Sequence, residues 1–179
     1  MFNDVEEVVF SETQIQERIK NLCEEIAAAY EKKSLLLVGI LKGCLFFMAD
    51  LMRSLNIPLA IDFISISSYG SSTEKTGAVK ILKDLDTPIQ DKHVLIVEDI
   101  VDTGLTLGYL LRNLRERAPA SLQVCSLLDK PDCRIVQVPV NFKGFELGKK
   151  FVVGYGLDYQ GKYRHLPFIA SLKKEICPF

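Results

Sequence analysis

Two adjacent carboxylates, Glu98 and Asp99, follow the apolar run at residues 94–97. A turn rich in Asp, Thr and Gly comes next, at residues 102–106, and a helical pattern follows it. The free N–H groups of such a turn and the positive end of a helix dipole together form an anion site that suits a phosphate. Two threonine hydroxyls can add donors. No lysine follows the glycine, so this is not the GxxxxGK phosphate loop.

The acidic pair indicates a second kind of chemistry beside the phosphate. Glu98 and Asp99 would repel a bound anion, but carboxylates accept hydrogen bonds from vicinal hydroxyls of a sugar, or hold a divalent cation. A phosphate beside a diol describes a ribose 5-phosphate. The alternative is structural: the pair begins a solvated loop, and Asp102 caps the following helix.

Alternating strand and helix patterns predict the elements that position these residues. Ser11 and Gln14 match a capping box, and apolar residues behind them recur at helical spacing. Unbroken apolar runs are typical of strands buried on both faces. The predicted helices are 12–31, 44–55 and one from Gly104 to Pro119, and the predicted strands are 35–41, 58–67, 94–97 and 122–128. This order predicts an α/β fold, a single domain with a mostly parallel twisted sheet flanked by helices, and ligands at the carboxyl ends of its strands.

Composition excludes several classes of protein. The 179 residues carry 22 Lys and Arg against 23 Asp and Glu, a net charge of −1, which argues against nucleic-acid coating. Apolar runs fall far short of the roughly 20 residues of a membrane span. Five cysteines without a CxxC pair, and an N-terminus without signal-peptide features, predict a cytoplasmic protein. Neither His93 nor His165 has metal-ligand spacing. The segment 154–159 lacks the last glycine of GxGxxG, so no dinucleotide site is expected.

The segment 67–77 contains eight Ser, Thr or Gly residues out of eleven. A stretch of this kind is either an idle connection or a mobile lid, and long loops in compact domains are often functional. We favour the lid.

Residues 94–106 resemble the phosphoribosyl-pyrophosphate signature of the type I phosphoribosyltransferases. Further segments are similar to the hypoxanthine-guanine phosphoribosyltransferases in particular; they are 41–43, 68–70, 127–131 and 151–159. The signature specifies the superfamily, and the two downstream segments specify the purine branch. The resemblance covers nearly the whole chain, and it implies a small base-binding hood beside the sheet.

The resemblance also implies a role for each site residue. The purine base would be bound by Lys130, Phe151, Val152 and Asp158. The 5-phosphate and ribose would be bound by Glu98, Asp99, Asp102, Thr103, Gly104, Leu105 and Thr106. Pyrophosphate would be bound by Lys42, Gly43, Ser68, Tyr69 and Arg164, with a cis peptide bond before Lys42. Asp102 would be catalytic, accepting the purine N7 proton, and Mg²⁺ would be held by Glu98, Asp99 and Asp158.

The function implied is purine salvage: transfer of a phosphoribosyl group to hypoxanthine or guanine, giving IMP or GMP and pyrophosphate. The expected partners are small-molecule substrates, with no nucleic acid or membrane, in a homodimer or homotetramer. Two alternatives stay open. One is a phosphoribosyltransferase that prefers xanthine, and the other is a non-enzymatic, RNA-binding regulator on the same fold.

Overall fold

The chain alternates strands and helices over most of the residues described, which are 2–68 and 79–178 of a computed structural model. The helices are α1 (Glu12–Ala29), α2 (Leu45–Ser54) and α3 (Leu105–Arg115). The strands are β1 (Val5–Phe10), β2 (Leu35–Leu41), β3 (Leu59–Ser68), β4 (Val79–Lys83), β5 (His93–Val101), β6 (Ser121–Asp129), β7 (Phe142–Glu146) and β8 (Ile169–Leu172). Short 3₁₀ turns span Phe2–Asp4 and Pro131–Cys133.

Six strands form the central sheet, in the order β4-β3-β2-β5-β6-β7. All neighbouring pairs are parallel except β3 and β4, which are antiparallel. One apolar cluster packs α1 and α2 against one face, and a second packs α3 against the other. The predicted α/β architecture is confirmed, and the carboxyl ends of β2, β5 and β6 lie side by side.

The capping box at the start of α1 is present as predicted, because the Ser11 hydroxyl accepts from the Gln14 N–H at 3.3 Å and Gln14 Oε1 accepts from the Ser11 N–H at 2.9 Å. The predicted end of α3 at Pro119 was wrong. The helix stops at Arg115, and the chain then turns through Ala118, whose φ of 52° lies outside the helical region.

Strand β5 is longer than the apolar run predicted. It continues to Val101, in register with Asp129 of β6, so that Glu98 and Asp99 lie within the strand and not after it. The pairing of β5 with β2 ends at Val97, but its parallel pairing with β6 continues to Val101 and holds the chain extended where polar residues begin. The acidic pair is therefore fixed by the sheet and does not start a loop.

The first and last strands form a separate small sheet. β1 pairs with β8 antiparallel, and a third apolar cluster packs beside it, with Tyr163 and Leu166 among its buried members. This unit is the hood expected beside the central sheet. No helix in the described ranges is long and apolar enough to cross a membrane.

Candidate active site

The turn between β5 and α3 surrounds a cavity of about 160 Å³ whose lining residues lie between Glu98 and Leu107. Gly104 is the N-cap of α3, with a left-handed φ of 78°, which glycine adopts without strain. Among the described residues, the Leu105 N–H at the start of the helix donates to Thr103 Oγ1 at 3.4 Å, and the Asp102 side chain accepts no hydrogen bond from α3. The alternative role of Asp102 as a cap is therefore not what the structure shows. The Asp102 side chain is exposed, and Thr103 and Thr106 are half-buried.

Three consecutive carbonyls of this turn accept hydrogen bonds from the segment after β6. Val101 O accepts from the Lys130 N–H at 2.9 Å, and Asp102 O accepts from the Arg134 guanidinium. Thr103 O accepts from the N–H groups of Ile135 and Val136, at 2.9 and 3.0 Å. The segment that follows β6 therefore supports the turn from behind.

The acidic pair is held in an environment that opposes its charge. Burial, and then the charge of Asp99, raises the pKa of Glu98 well above its usual range. Burial also raises the pKa of Asp99 to about 6, although the N–H of Ile100 and the charge of Arg164 act in the opposite direction. Among the described residues, Glu98 Oε2 is buried without a hydrogen-bond partner. A cation placed here would relieve both effects.

Close packing of Gly43 against the Asp99 carboxylate joins the end of β2 to the acidic pair. The Leu41–Lys42 peptide bond is cis, as predicted. A β-carbon on Gly43 would overlap the Asp99 carboxylate, and one on Gly156 would overlap the Gly43 carbonyl oxygen. Lys42 is exposed at the end of the strand. The residues predicted for pyrophosphate at β2 and for ribose at β5 are thus in contact.

Arg164 lies on the hood side of this contact. Its guanidinium pairs with Asp158 Oδ1 at 2.5 Å and donates to Gly156 O at 2.5 Å. Asp158 Oδ2 also accepts from the Gly161 N–H at 2.7 Å. The charges of Arg164 and Asp158 both act on the pKa of Asp99. Within the described ranges, however, no three acidic, His or Cys residues converge tightly enough to form a metal site from protein ligands alone.

Among the residues predicted to bind the base, Lys130 adjoins the turn, through the hydrogen bond from its N–H to Val101 O. Lys130 follows β6 and is only 6% exposed, yet its ammonium has no hydrogen-bond or ion-pair partner in the described part of the chain. Phe151 is half-buried, and its ring meets that of Tyr159 edge-on with centroids 5.8 Å apart. Val152 is buried at 5% exposure. Ser68 ends β3, whereas Tyr69 and most of the proposed lid lie outside the described residues.

Sequence reasoning missed one pair of residues at the site, Asp129 and Arg134. Asp129 ends β6 and is 6% exposed, and its carboxylate pairs with Arg134. The second arm of the same guanidinium reaches the carbonyl of Asp102. Asp129 could have been noticed as a carboxylate directly after the predicted strand at residues 122–128. Nothing in the sequence marks Arg134.

Comparison with known proteins identifies the family. The family model for the phosphoribosyl transferase domain matches residues 11–160. The chain belongs to the phosphoribosyltransferase family. It is 47% identical over 176 residues to the hypoxanthine-guanine phosphoribosyltransferase of Bacillus subtilis, with 98% of each chain covered. It is 47% identical to the Mycobacterium tuberculosis enzyme of the same name, covering 97% of this chain and 89% of that one.

A solved phosphoribosyltransferase structure agrees with the fold. The hypoxanthine phosphoribosyltransferase of Staphylococcus aureus superposes with a TM-score of 0.95 at 45% identity, covering 99% of this chain and 96% of that one. The predicted family and the predicted fold class of this phosphoribosyltransferase are both confirmed.

Proposed function

We propose that this phosphoribosyltransferase acts in purine salvage, as a single domain that transfers the 5-phosphoribosyl group of phosphoribosyl pyrophosphate to N9 of hypoxanthine or guanine. The observation that carries the proposal is the position of Lys130. Its main-chain N–H is bonded to Val101 O at the start of the turn at residues 101–106, the phosphate turn. Its side chain is largely buried, and its ammonium has no partner in the described structure. The lysine proposed to bind the base and the turn proposed to bind the phosphate therefore follow two neighbouring strands, β6 and β5.

The ammonium of Lys130 fits a 6-oxo purine. It has three donors and no acceptor, so it can donate to the exocyclic O6 of hypoxanthine or guanine but cannot accept from the 6-amino group of adenine. Phe151 would stack on the face of the base, and the main chain of Val152 would pair with its edge. These assignments also agree with the names of the similar enzymes.

The phosphate groups of the donor would occupy two regions. The turn at residues 102–106 would bind the 5-phosphate through N–H groups and hydroxyls, and the acidic pair would accept from the ribose hydroxyls. Pyrophosphate would lie at Lys42 and Gly43, near Arg164, whose guanidinium matches phosphate oxygens well. Ser68 and Tyr69 would complete that region from the lid.

The residues present fit a Mg²⁺ ion. Glu98 has a buried carboxylate oxygen without a partner in the described structure, and carboxylate and phosphate oxygens are the ligands Mg²⁺ prefers. Glu98, Asp99 and Asp158 would hold the ion together with the substrate, which supplies further oxygens. When bound, Mg²⁺ would stabilise the negative charge of the departing pyrophosphate.

The reaction forms a bond between purine N9 and the anomeric carbon and breaks the bond from that carbon to pyrophosphate. The electron pair of the broken bond leaves with pyrophosphate. The positive charges of Lys42 and Arg164 stabilise the negative charge that the pyrophosphate gains. The proton on N7 passes to the carboxylate of Asp102, which is exposed at the turn and is not used as a helix cap. A carboxylate base of this kind typically contributes 10²–10⁴-fold to the rate.

A steady-state assay with hypoxanthine, guanine, xanthine and adenine tests the proposal. Each base is supplied with phosphoribosyl pyrophosphate and Mg²⁺, and a parallel series contains excess chelator. We expect IMP and GMP to form, adenine to fail, and chelator to abolish activity until Mg²⁺ is restored. A preference for xanthine would correct the substrate. Absence of any nucleotide, together with a gel shift of RNA, would favour the regulator.

A cytoplasmic location and a homo-oligomeric state are further parts of the proposal. All five cysteines are free thiols, which suits a reducing compartment. Ile135 and Val136 expose apolar side chains, at 70% and 38%, beside Leu105, which is 46% exposed. An apolar patch of this kind supports contact between subunits, a dimer or a tetramer, which sedimentation equilibrium would measure.

A further inference from the structure

Three consecutive main-chain carbonyls of the phosphate turn point in the same direction. The carbonyls of residues 101, 102 and 103 all accept from the segment that follows β6. In a trans peptide the N–H of the next residue points away from the carbonyl. The N–H groups of Asp102, Thr103 and Gly104 therefore face the opposite side. None of these three N–H groups has a hydrogen-bond acceptor in the described part of the chain.

Of the four donors to these carbonyls among the described residues, only one is a side chain. Lys130, Ile135 and Val136 donate through main-chain N–H groups, which any residue other than proline would supply. Asp102 O depends on the guanidinium of Arg134. The middle peptide of the turn, which carries the Thr103 N–H, is thus oriented by a single side chain.

The position of Arg134 is fixed by a second interaction, which its other terminal nitrogen makes with Asp129. Its guanidinium pairs with the Asp129 carboxylate, and both side chains are largely shielded, at 5% and 8% exposure. A planar guanidinium can donate in two directions from a fixed geometry, whereas a lysine ammonium is a single point on a flexible stem. This geometry links the strand end that carries Lys130 to the peptide of Asp102.

We propose that Arg134, held by Asp129, is a positioning residue that orients the phosphate turn so that its N–H groups face the 5-phosphate. This inference rests on the proposed function, because it takes the turn as the phosphate site. Arg134 touches no substrate in this arrangement. It fixes the peptide whose N–H does so, and it places the side chain of Asp102 on the same main chain.

The test compares two variants, Arg134→Met and Arg134→Lys, with a matched control. Arg117→Met removes a two-armed ion pair with Asp84, with distances of 2.8 and 2.9 Å, just beyond the end of α3 that is opposite the turn. Calorimetry gives the Kd of inosine 5′-monophosphate, which uses the turn, and of pyrophosphate with Mg²⁺, which does not. Steady-state kinetics give KM for hypoxanthine, and thermal melting reports stability.

We expect Arg134→Met to weaken binding of inosine 5′-monophosphate by about 10²-fold, since misplacing a binding group by about 1 Å can cost that much. Pyrophosphate binding and the hypoxanthine KM should stay within a few-fold. Arg134→Lys should be intermediate, and it keeps the charge opposite Asp129 if the Met variant does not fold. Arg117→Met should bind both ligands as the wild type does.

Two results would overturn the inference. Unchanged affinity for inosine 5′-monophosphate in both Arg134 variants would show that the orientation of the turn does not depend on Arg134. Equal losses for nucleotide and pyrophosphate would assign Arg134 a general structural role. Failure of the wild type to bind inosine 5′-monophosphate would instead contradict the proposed function, and so the two failures are distinguishable.

Discussion

The carboxylate of Asp99 lies against the α-carbon of Gly43, in space that a side chain at residue 43 would need. The contact joins the end of β2 to the acidic pair on β5, and the Gly43 carbonyl is in turn covered by Gly156. Three segments meet here, and neither glycine has a side chain that would separate them. The contact is steric, and it does not depend on an unusual backbone conformation of Gly43.

Gly43→Ala should therefore damage both activity and stability. The added methyl must displace Asp99, which we expect to lower kcat/KM for phosphoribosyl pyrophosphate by about 10²-fold. Overpacking typically costs about 1–3 kcal/mol of unfolding free energy. Steady-state kinetics and thermal melting measure the two effects. Gly148→Ala is the matched control, because nothing lies within 4 Å of its β-carbon position. Equal behaviour of the two variants would show that the contact is easily relieved.

Asp99→Asn should stabilise the metal-free protein, increasingly so as the pH rises. The raised pKa of about 6, against an ordinary 3.8, means that the folded state keeps a proton that the unfolded state has lost. The wild type therefore loses stability from about pH 4 to pH 6, by on the order of 2–3 kcal/mol. Asparagine does not titrate. Melting curves in chelator from pH 4 to pH 8 should show the variant gaining several degrees over the wild type, and a constant difference across this range would refute the assignment.

Lys130→Ala should raise KM for hypoxanthine and guanine and leave KM for phosphoribosyl pyrophosphate nearly unchanged. A hydrogen bond from a charged donor is worth about 1.5–3 kcal/mol, which corresponds to one to two decades in KM. Initial-rate measurements with each substrate varied in turn provide the test. Lys20→Ala, on the exposed face of α1, serves as the control. An equal loss for base and donor would remove Lys130 from the base pocket.

Asp102→Asn separates catalysis from binding. The amide keeps the shape of the side chain but cannot accept the N7 proton as a carboxylate does, so the chemical step should slow by about 10²–10⁴-fold while both KM values change little. Product release can limit kcat in enzymes with closing loops, so the single-turnover rate is the measurement to make. A wild-type single-turnover rate would reopen the search for the base.

Local patterns in the sequence predicted β2, β3, β5 and β6 of the central sheet but missed its two edge strands, β4 and β7. The capping box at Ser11 and the apolar run at residues 35–41 each depend on neighbours in the chain, and both predictions were confirmed. The pairing of β1 with β8 could not be predicted from neighbouring residues in the chain. Val8 is 48% exposed and the strand has no clear alternation, and its partner lies at the far end of the sequence.

In the candidate site, too, the features that depend on one continuous segment were predicted, and the features that depend on contacts between distant segments were missed. The phosphate turn is a continuous segment, so its residue types and the resemblance could identify it. The support of that turn by Arg134 depends on where the chain goes after β6, and the contact of Gly43 with Asp99 depends on two strands lying side by side. Contacts between distant segments leave no local pattern to read.

The sheet of β1 and β8 has a consequence for the order of folding. Its two strands come from opposite ends of the sequence, and the bond from the Lys173 N–H to Asp4 O, at 3.0 Å, joins them again beside the sheet. Bringing distant segments together costs chain entropy, which is smaller once the central sheet has drawn the ends close. The hood should then form late and open early, so its amide hydrogens should exchange with solvent faster than those of β2 and β5. A newly made chain would acquire its phosphate turn before its base pocket.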